Sequence, residues 1–468
     1  MKIFLINPDY MMYPDPPLGL CYIAGYIRKY LPSVEIRILD QLPEDKIIRE
    51  ITKHKPNVIG FSSASQNYYR VKSLAERIKK VSSSLLVIGG IHVTNLPSSF
   101  EISPFDIGIL GEGELSFRKI IENIIENKNL DVSKLGKGFV FRQKGKIINT
   151  GLGERVDNLD DIPLPARDLL NMKYYTLPSF SSDTIDHWGI MLTSRGCPYK
   201  CSFCSSTKFW EGRIKFFSAK RVADEIEIMY KKYGYKNIEI YDDLFTFNKP
   251  RLREIISLLE KKKILGKINF STMGRANCFD EELAVILKKL NVKKVFFGIE
   301  TGSERMLKML KDSINLEDDI KAVALCRKHG IMPGGLFMIG MPHETEEDME
   351  ATYQFIKKYL PNNYSLGQMS AYPNTPIWDY AVKNNLINPD MYEKKGRGFL
   401  EFNENLSLSS VPPQTLKKYW LKIKSINPKK NVRLDRIMNI RPRHIARMFS
   451  PLFIKKVYLL QTKQVKQD

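Results

Sequence analysis

Three cysteines in the segment TSRGCPYKCSFCSS, namely Cys197, Cys201 and Cys204, have the spacing C-x3-C-x2-C and can converge on one loop. Thiolates are soft ligands suited to zinc, copper and iron–sulfur clusters. A closed structural zinc site wants four ligands in a tetrahedron, and no fourth Cys or His lies at the usual short spacing; the nearest, His187 and Cys278, belong to other parts of the pattern. A four-iron cluster held by only three thiolates keeps one iron open, where an exogenous ligand binds and takes an electron directly. Cys21, Cys278 and Cys326 fall in apolar or helical contexts and read as buried small hydrophobes.

The loop has to be carried by a scaffold, and 468 residues exceed what one hydrophobic core serves. Residues 1–130 alternate short apolar runs with amphipathic stretches, the pattern of βαβ units on a parallel sheet. KIFLIN, EIRIL, NVIGFS, LLVIGG and DIGIL read as five strands, with helices over 18–31, 44–54, 68–81 and 114–126. Ligands of such sheets sit at the carboxyl ends of the strands, which here read Asn7-Pro8, Ser62-Ser63, Gly89-Gly90 and Gly111-Glu112-Gly113. Residues 131–185 read as a linker with little structure of its own. A second βα series over 186–395 has six strands, HWGIMLTS, NIEIYDD, INFSTM, KKVFFGIE, IMPGGLFMIG and YSLGQMSAY, separated by helices near 218–233, 249–263, 280–290, 303–328 and 345–359. Six such units suit a partial (β/α)6 barrel, and the cysteines follow its first strand. The expected fold is therefore α/β: a doubly wound parallel sheet, a partial barrel, and a small, mostly helical C-terminal region over 396–468.

The chain carries 73 Lys+Arg against 52 Asp+Glu, a net charge of +21. Nearly half of that surplus lies beyond Pro428, mixed with apolar runs such as IARMFSPLFI. A basic, partly apolar tail suits either a helical cap on the barrel or a segment lying on an anionic membrane. No nucleic-acid module is recognisable. No apolar run is long enough to span a bilayer and no signal peptide is evident, so a cytoplasmic protein with reduced thiols, perhipheral on the inner membrane face at most, is expected.

At its cysteines the chain resembles the radical S-adenosylmethionine superfamily, whose signature has this spacing with an aromatic beside the last cysteine, as Phe203 is here. IEIYDDLFTFN, FGIETGSERML, GGLFMIGMPHETEEDM and YPNTPIWDYA are similar to later barrel segments of that superfamily. The resemblance implies that Cys197, Cys201 and Cys204 hold a 4Fe-4S cluster and that S-adenosylmethionine is met by Phe203, Asp243, Arg275, Gly298 and Glu300. The common Gly-Gly-Glu amine-binding motif is replaced by Tyr241-Asp242-Asp243, so the group that holds the amine stays open. PPLGLCYIAGYIRK, IGFSSAS, VIGGIHVTNLP and ILGEGE resemble the cobalamin-binding module that precedes many such enzymes. That likeness implies cobalamin contacts at Gly19, Ser62, Ser63, Gly89, Gly90, His92, Gly111, Glu112 and Gly113. The mutase motif Asp-x-His-x-x-Gly is absent, so the base is expected to be displaced, with His92 fixing its loop rather than ligating cobalt.

Together these resemblances imply a radical enzyme that methylates an unactivated carbon of a small molecule or lipid and draws electrons from an external flavodoxin or ferredoxin. S-Adenosylmethionine would serve both as methyl source and, at the cluster, as source of the hydrogen-abstracting 5′-deoxyadenosyl radical. An oxidative cyclase of the same architecture is the second reading, and a noncatalytic iron–sulfur sensor the third.

Overall fold

The computed structural model describes residues 1–8, 15–172, 175, 188–394, 402–403 and 406–427. The first unit runs β1 (Lys2–Asn7), α1 (Leu18–Tyr30), β2 (Glu35–Asp40), α2 (Glu44–His54), β3 (Val58–Ser62), α3 (Tyr68–Lys79), β4 (Leu85–Gly89), α4 (Ile91–Asn95), β5 (Ile107–Ile109) and α5 (Gly113–Asn127). Its strands are ordered β2-β1-β3-β4-β5 and are all parallel. This order reverses between β1 and β3, which is where a doubly wound sheet opens a crevice. Alternation along each strand buries both faces: Ile3, Leu5, Val87 and Ile107 on one side, and Phe4, Ile6, Ile59 and Ile88 on the other. Helices therefore cover both.

The stretch expected as a linker begins instead by extending this sheet. β6 (Phe139–Gln143) and β7 (Lys146–Asn149) form a hairpin that pairs antiparallel with β5. Lys144 and Gly145 both have positive φ, 49° and 76°, so the two-residue turn has the twist that hairpins prefer. Phe139, Val140 and Phe141 are buried, and that apolar area holds the hairpin on the edge of the sheet.

The second unit contains β8 (Trp188–Met191), β9 (Ser194–Gly196), α6 (Ser206–Trp210), β10 (Ile214–Phe216), α7 (Ala219–Lys231), β11 (Asn237–Ile240), α8 (Lys249–Lys261), β12 (Asn269–Gly274), α9 (Glu281–Lys289), β13 (Val292–Glu300), α10 (Glu304–Leu310), α11 (Leu316–Lys328), β14 (Met332–Ile339), α12 (Glu346–Tyr359) and β15 (Tyr364–Gln368). Six parallel strands stand in the order β15-β14-β13-β12-β11-β8, a half-barrel. β9 and β10 form a separate antiparallel pair. The single helix expected over 303–328 is two, because Asn315 and Asp318 form a capping box that restarts the chain as α11. α13 (Pro376–Lys383), α14 (Met391–Lys394) and α15 (Pro413–Lys424) complete the described chain, with α15 packed on α12. The basic tail beyond Pro428 lies outside the described residues.

The two units share a core. Leu18, Tyr22 and Tyr26 of α1 pack into the hydrophobic cluster of the half-barrel, and the Tyr22 ring stacks on Phe217 with centroids 6.1 Å apart.

Candidate active site

The cysteine loop leaves β9 at Gly196, whose φ of 96° and close approach to the Arg213 carbonyl both exclude a side chain. Cys197, Cys201 and Cys204 are free and half-buried along the next turns. The loop is anchored at Ser202, whose N–H donates to the Leu310 carbonyl at 2.9 Å and whose own carbonyl accepts from Ile377 N at 3.3 Å. Burial pushes the Cys197 thiol up to about 11 and raises Cys204 as well, with Asp243 and the neighbouring thiols adding to both. Thiols buried in this way need positive charge to ionise. Arg275 supplies some, donating from Nη1 to Cys201 Sγ at 3.3 Å, and a bound iron–sulfur cluster would supply the rest. Among the described residues no three His, Cys, Asp or Glu side chains close on a single-ion site. Cys21 and Cys326 are buried as expected. Cys278 departs from that expectation: it is half-buried and 2.7 Å from the Tyr199 hydroxyl, inside the cysteine loop's own surroundings.

A cavity of about 240 Å³ lies between the two units. From the sheet it is lined by Gly19, Ser62, Gly89, Gly90, Gly111, Glu112 and Gly113, and from the half-barrel by Ser194, Arg195, Phe209, Trp210 and Asp243. Gly60, Leu5, Val87, Ile109 and Phe117 complete its apolar lining. A Cβ at Gly60 would stand 2.8 Å from Leu5 Cδ2 and 3.2 Å from Phe117 Cε2, so these side chains pack directly on the bare backbone of that glycine. Asp243 joins cavity and cysteine loop: its carboxylate accepts from Ser206 Oγ at 3.0 Å and Gly196 N at 3.3 Å. Burial raises its pKa, against the pull of these donors. Its neighbour Asp242 faces away, bonded to Thr193 and Ser194.

Seven of the nine residues expected around cobalamin thus line the cavity. Ser63 and His92 do not: Ser63 lies behind Gly90, bonded through N–H to the Gly89 carbonyl at 2.9 Å. His92 is fully buried, its ring stacked on Tyr68 with centroids 4.0 Å apart and Nδ1 3.0 Å from Ser65 Oγ. Its Nε2 has no hydrogen-bond partner, and burial drives its pKa down to about 3. The ring is packed between Tyr68 and Tyr392 and is not among the residues that line the cavity. Of the residues expected around S-adenosylmethionine, Asp243 alone lines this cavity. Arg275 and Glu300 lie buried at the ends of β12 and β13 on the Cys201 side. Gly298 makes room for the Glu300 carboxylate, and Phe203 packs against the cluster containing Met306 and Leu310. Arg195, Phe209 and Trp210 were missed, since nothing local distinguishes them from structural residues.

Family models for the radical SAM superfamily and for the B12 binding domain match residues 191–356 and 12–121. An uncharacterized methyltransferase of Pyrococcus horikoshii is 35% identical over 401 residues, 83% of this chain and 84% of its own. The chain belongs to the cobalamin-binding radical SAM enzymes. Anaerobic magnesium-protoporphyrin IX monomethyl ester cyclase of Rubrivivax gelatinosus is 25% identical, covering 81% of this chain and 69% of its own. Among solved structures the cobalamin-dependent radical enzyme OxsB, with aqua-cobalamin and S-adenosylmethionine bound, superposes with a TM-score of 0.75 at 17% identity, over 99% of this chain and 71% of its own. The half-barrel and the preceding sheet are the fold of this family, whose cofactors are a 4Fe-4S cluster, S-adenosylmethionine and cobalamin. No helix among the described residues is long and apolar enough to cross a membrane.

Proposed function

We propose that the protein is a radical methyltransferase that places a methyl group on an unactivated carbon of a small molecule or lipid. The observation that carries this reading is the shared cavity: the glycine-lined strand ends of the sheet and the base of the cysteine loop both line it, and Asp243, bonded to Gly196 and Ser206 of that loop, lines it as well. When bound, the cofactors supply the chemistry, namely hydrogen abstraction at the cluster and a transferable methyl group on cobalamin.

The chain holds and orients these groups. Cys197, Cys201 and Cys204 ligate three irons, and Arg275 offsets the negative charge of Cys201. Gly19, Gly89, Gly90, Gly111 and Gly113 would let a flat macrocycle approach the backbone, beside the apolar lining of Leu5, Val87, Ile109 and Phe117. Glu112 and Ser62 offer polar contacts at the rim. Asp243, Arg275 and Glu300 meet the polar end of S-adenosylmethionine. Phe209 and Trp210 wall the cavity against water. Electrons come from an external flavodoxin or ferredoxin.

The test is anaerobic reconstitution with both cofactors, reduction, and incubation with extracts of the source organism. 5′-Deoxyadenosine together with a product heavier by one methylene is expected. 5′-Deoxyadenosine with a product that has lost two hydrogens and gained no carbon would replace this reading with oxidative ring formation, which the cyclase relative favours. No 5′-deoxyadenosine under any condition would leave an iron–sulfur sensor.

A further inference from the structure

Val295, Phe297 and Ile299 of β13 enter the core, while Lys294, Phe296 and Gly298 alternate away from it. The strand register slips between Gly298 and Glu300, and Glu300 sits at a φ of 72°. A non-glycine residue in that region is strained and persists only when its surroundings hold it there. Its carboxylate folds back over Gly298, occupying the space a side chain at 298 would need.

Lys311, at the end of α10, is the group that holds it. The side chain is buried, Nζ donates to the Gly298 carbonyl, and it stands 4.0 Å from Glu300 Oε1. Arg275, whose charge also acts on Glu300, reaches Cys201 Sγ at 3.3 Å. Apolar side chains of similar volume often match a buried carboxylate and ammonium in stability, so stability alone does not account for the arrangement.

We infer that Lys311 is a positioning residue for S-adenosylmethionine, acting through Glu300: its ammonium, fixed on the Gly298 carbonyl, sets the direction of the Glu300 carboxylate. This rests on the reading that Glu300 contacts S-adenosylmethionine. The experiment measures S-adenosylmethionine binding to the reconstituted full-length protein by anaerobic equilibrium dialysis, alongside the change it causes in the electron paramagnetic resonance signal of the reduced cluster. Glu300→Gln and Lys311→Met should each weaken binding by about tenfold or more, with iron and sulfide content unchanged, and the double variant should be no weaker than either alone. Additive losses, or an unaltered Lys311→Met beside a weakened Glu300→Gln, would overturn the inference and leave the role of Glu300 standing. An unaltered Glu300→Gln would overturn both. Should Lys311→Met lose its fold, Lys311→Gln keeps a donor for the Gly298 carbonyl without the charge and carries the same comparison.

Discussion

Arg195 Nη2 donates to Glu114 Oε1 at 2.6 Å while Nη1 bonds Glu112, so one guanidinium binds two carboxylates from the other unit. Arg195 lies two residues before Cys197, and Glu112 and Glu114 flank the Gly113 that begins α5. All three side chains are less than 10% exposed. The cysteine loop is therefore tied to the strand ends of the sheet by a buried ionic clamp. Removing one partner of such a group leaves uncompensated charge, and here it leaves two. Arg195→Met should cost about 3–5 kcal/mol in urea unfolding and weaken cobalamin binding. Arg195→Lys should recover only part, since a single ammonium lacks the fork that reaches both carboxylates. Wild-type stability in Arg195→Met would show that the clamp is incidental.

The cysteines divide into two groups by environment. Replacing Cys197, Cys201 or Cys204 with Ala should remove iron and abolish 5′-deoxyadenosine formation while the circular dichroism spectrum stays native. Cys21→Ala and Cys326→Ala should keep the cluster and cost roughly 1–2 kcal/mol, as lost core volume does. Cys278→Ala should also keep the cluster, although it frees the Tyr199 hydroxyl. Full iron content in a Cys197, Cys201, Cys204 triple variant would refute the ligand assignment.

Gly60 tests the sheet side of the cavity independently of the cluster. Gly60→Val places carbon where Leu5 and Phe117 already stand, which forces repacking at roughly 1–3 kcal/mol and pushes these lining side chains into the cavity. Cobalamin should no longer copurify or bind on reconstitution, while iron content and S-adenosylmethionine binding persist. Cobalamin retained at parental affinity would mean that it does not reach this lining.

Much of this architecture is legible in the sequence because strands buried on both faces leave continuous apolar runs, and VIGFS or LLVIG admits little else. The glycine and serine strand ends could be placed in a crevice for the same reason: the crevice follows from parallel topology. Two further elements have local signals in the sequence. Lys144-Gly145 between FVFRQ and KIIN marks a hairpin, and Asn315 with Asp318 marks a helix start. The pairing of Arg195 with Glu114 has no local signal, since 81 residues separate them and each reads as an ordinary surface charge. Lys311 is hidden in the same way, at the end of a helix that carries other charges.

His92 sits in a cage of Tyr68, Tyr392 and Ser65 with its ring neutral. The electron paramagnetic resonance spectrum of the cob(II)alamin form should show no nitrogen superhyperfine splitting attributable to this ring, and His92→Ala should leave the spectrum unchanged. The variant should still lose about 1–3 kcal/mol, because a filled aromatic cage becomes a cavity. Splitting that vanishes in His92→Ala would make the residue an axial ligand and would require the loop after β4 to rearrange when cobalamin binds.

Glu344 gives the fold a pH dependence with a definite sign. Its Oε2 accepts from Gly340 N at 2.5 Å and Met341 N at 3.0 Å, closing the turn after β14, while Oε1 is buried without a partner. Burial outweighs the two N–H donors and raises its pKa to about 8 from an ordinary 4.5. Between those values the folded chain holds a proton that the unfolded chain has released, so stability falls as pH rises through the window and levels off above it. Glu344→Gln preserves an acceptor for both N–H groups and removes the titration. Urea unfolding at about pH 5.5 and about pH 8.5 should show the variant gaining on the parent at the higher pH. Asp319, also raised to about 8, titrates in both proteins and cancels in the comparison. Parallel stability profiles for the two proteins would mean that the Glu344 carboxyl is already ionised in the fold, with its second oxygen partnered.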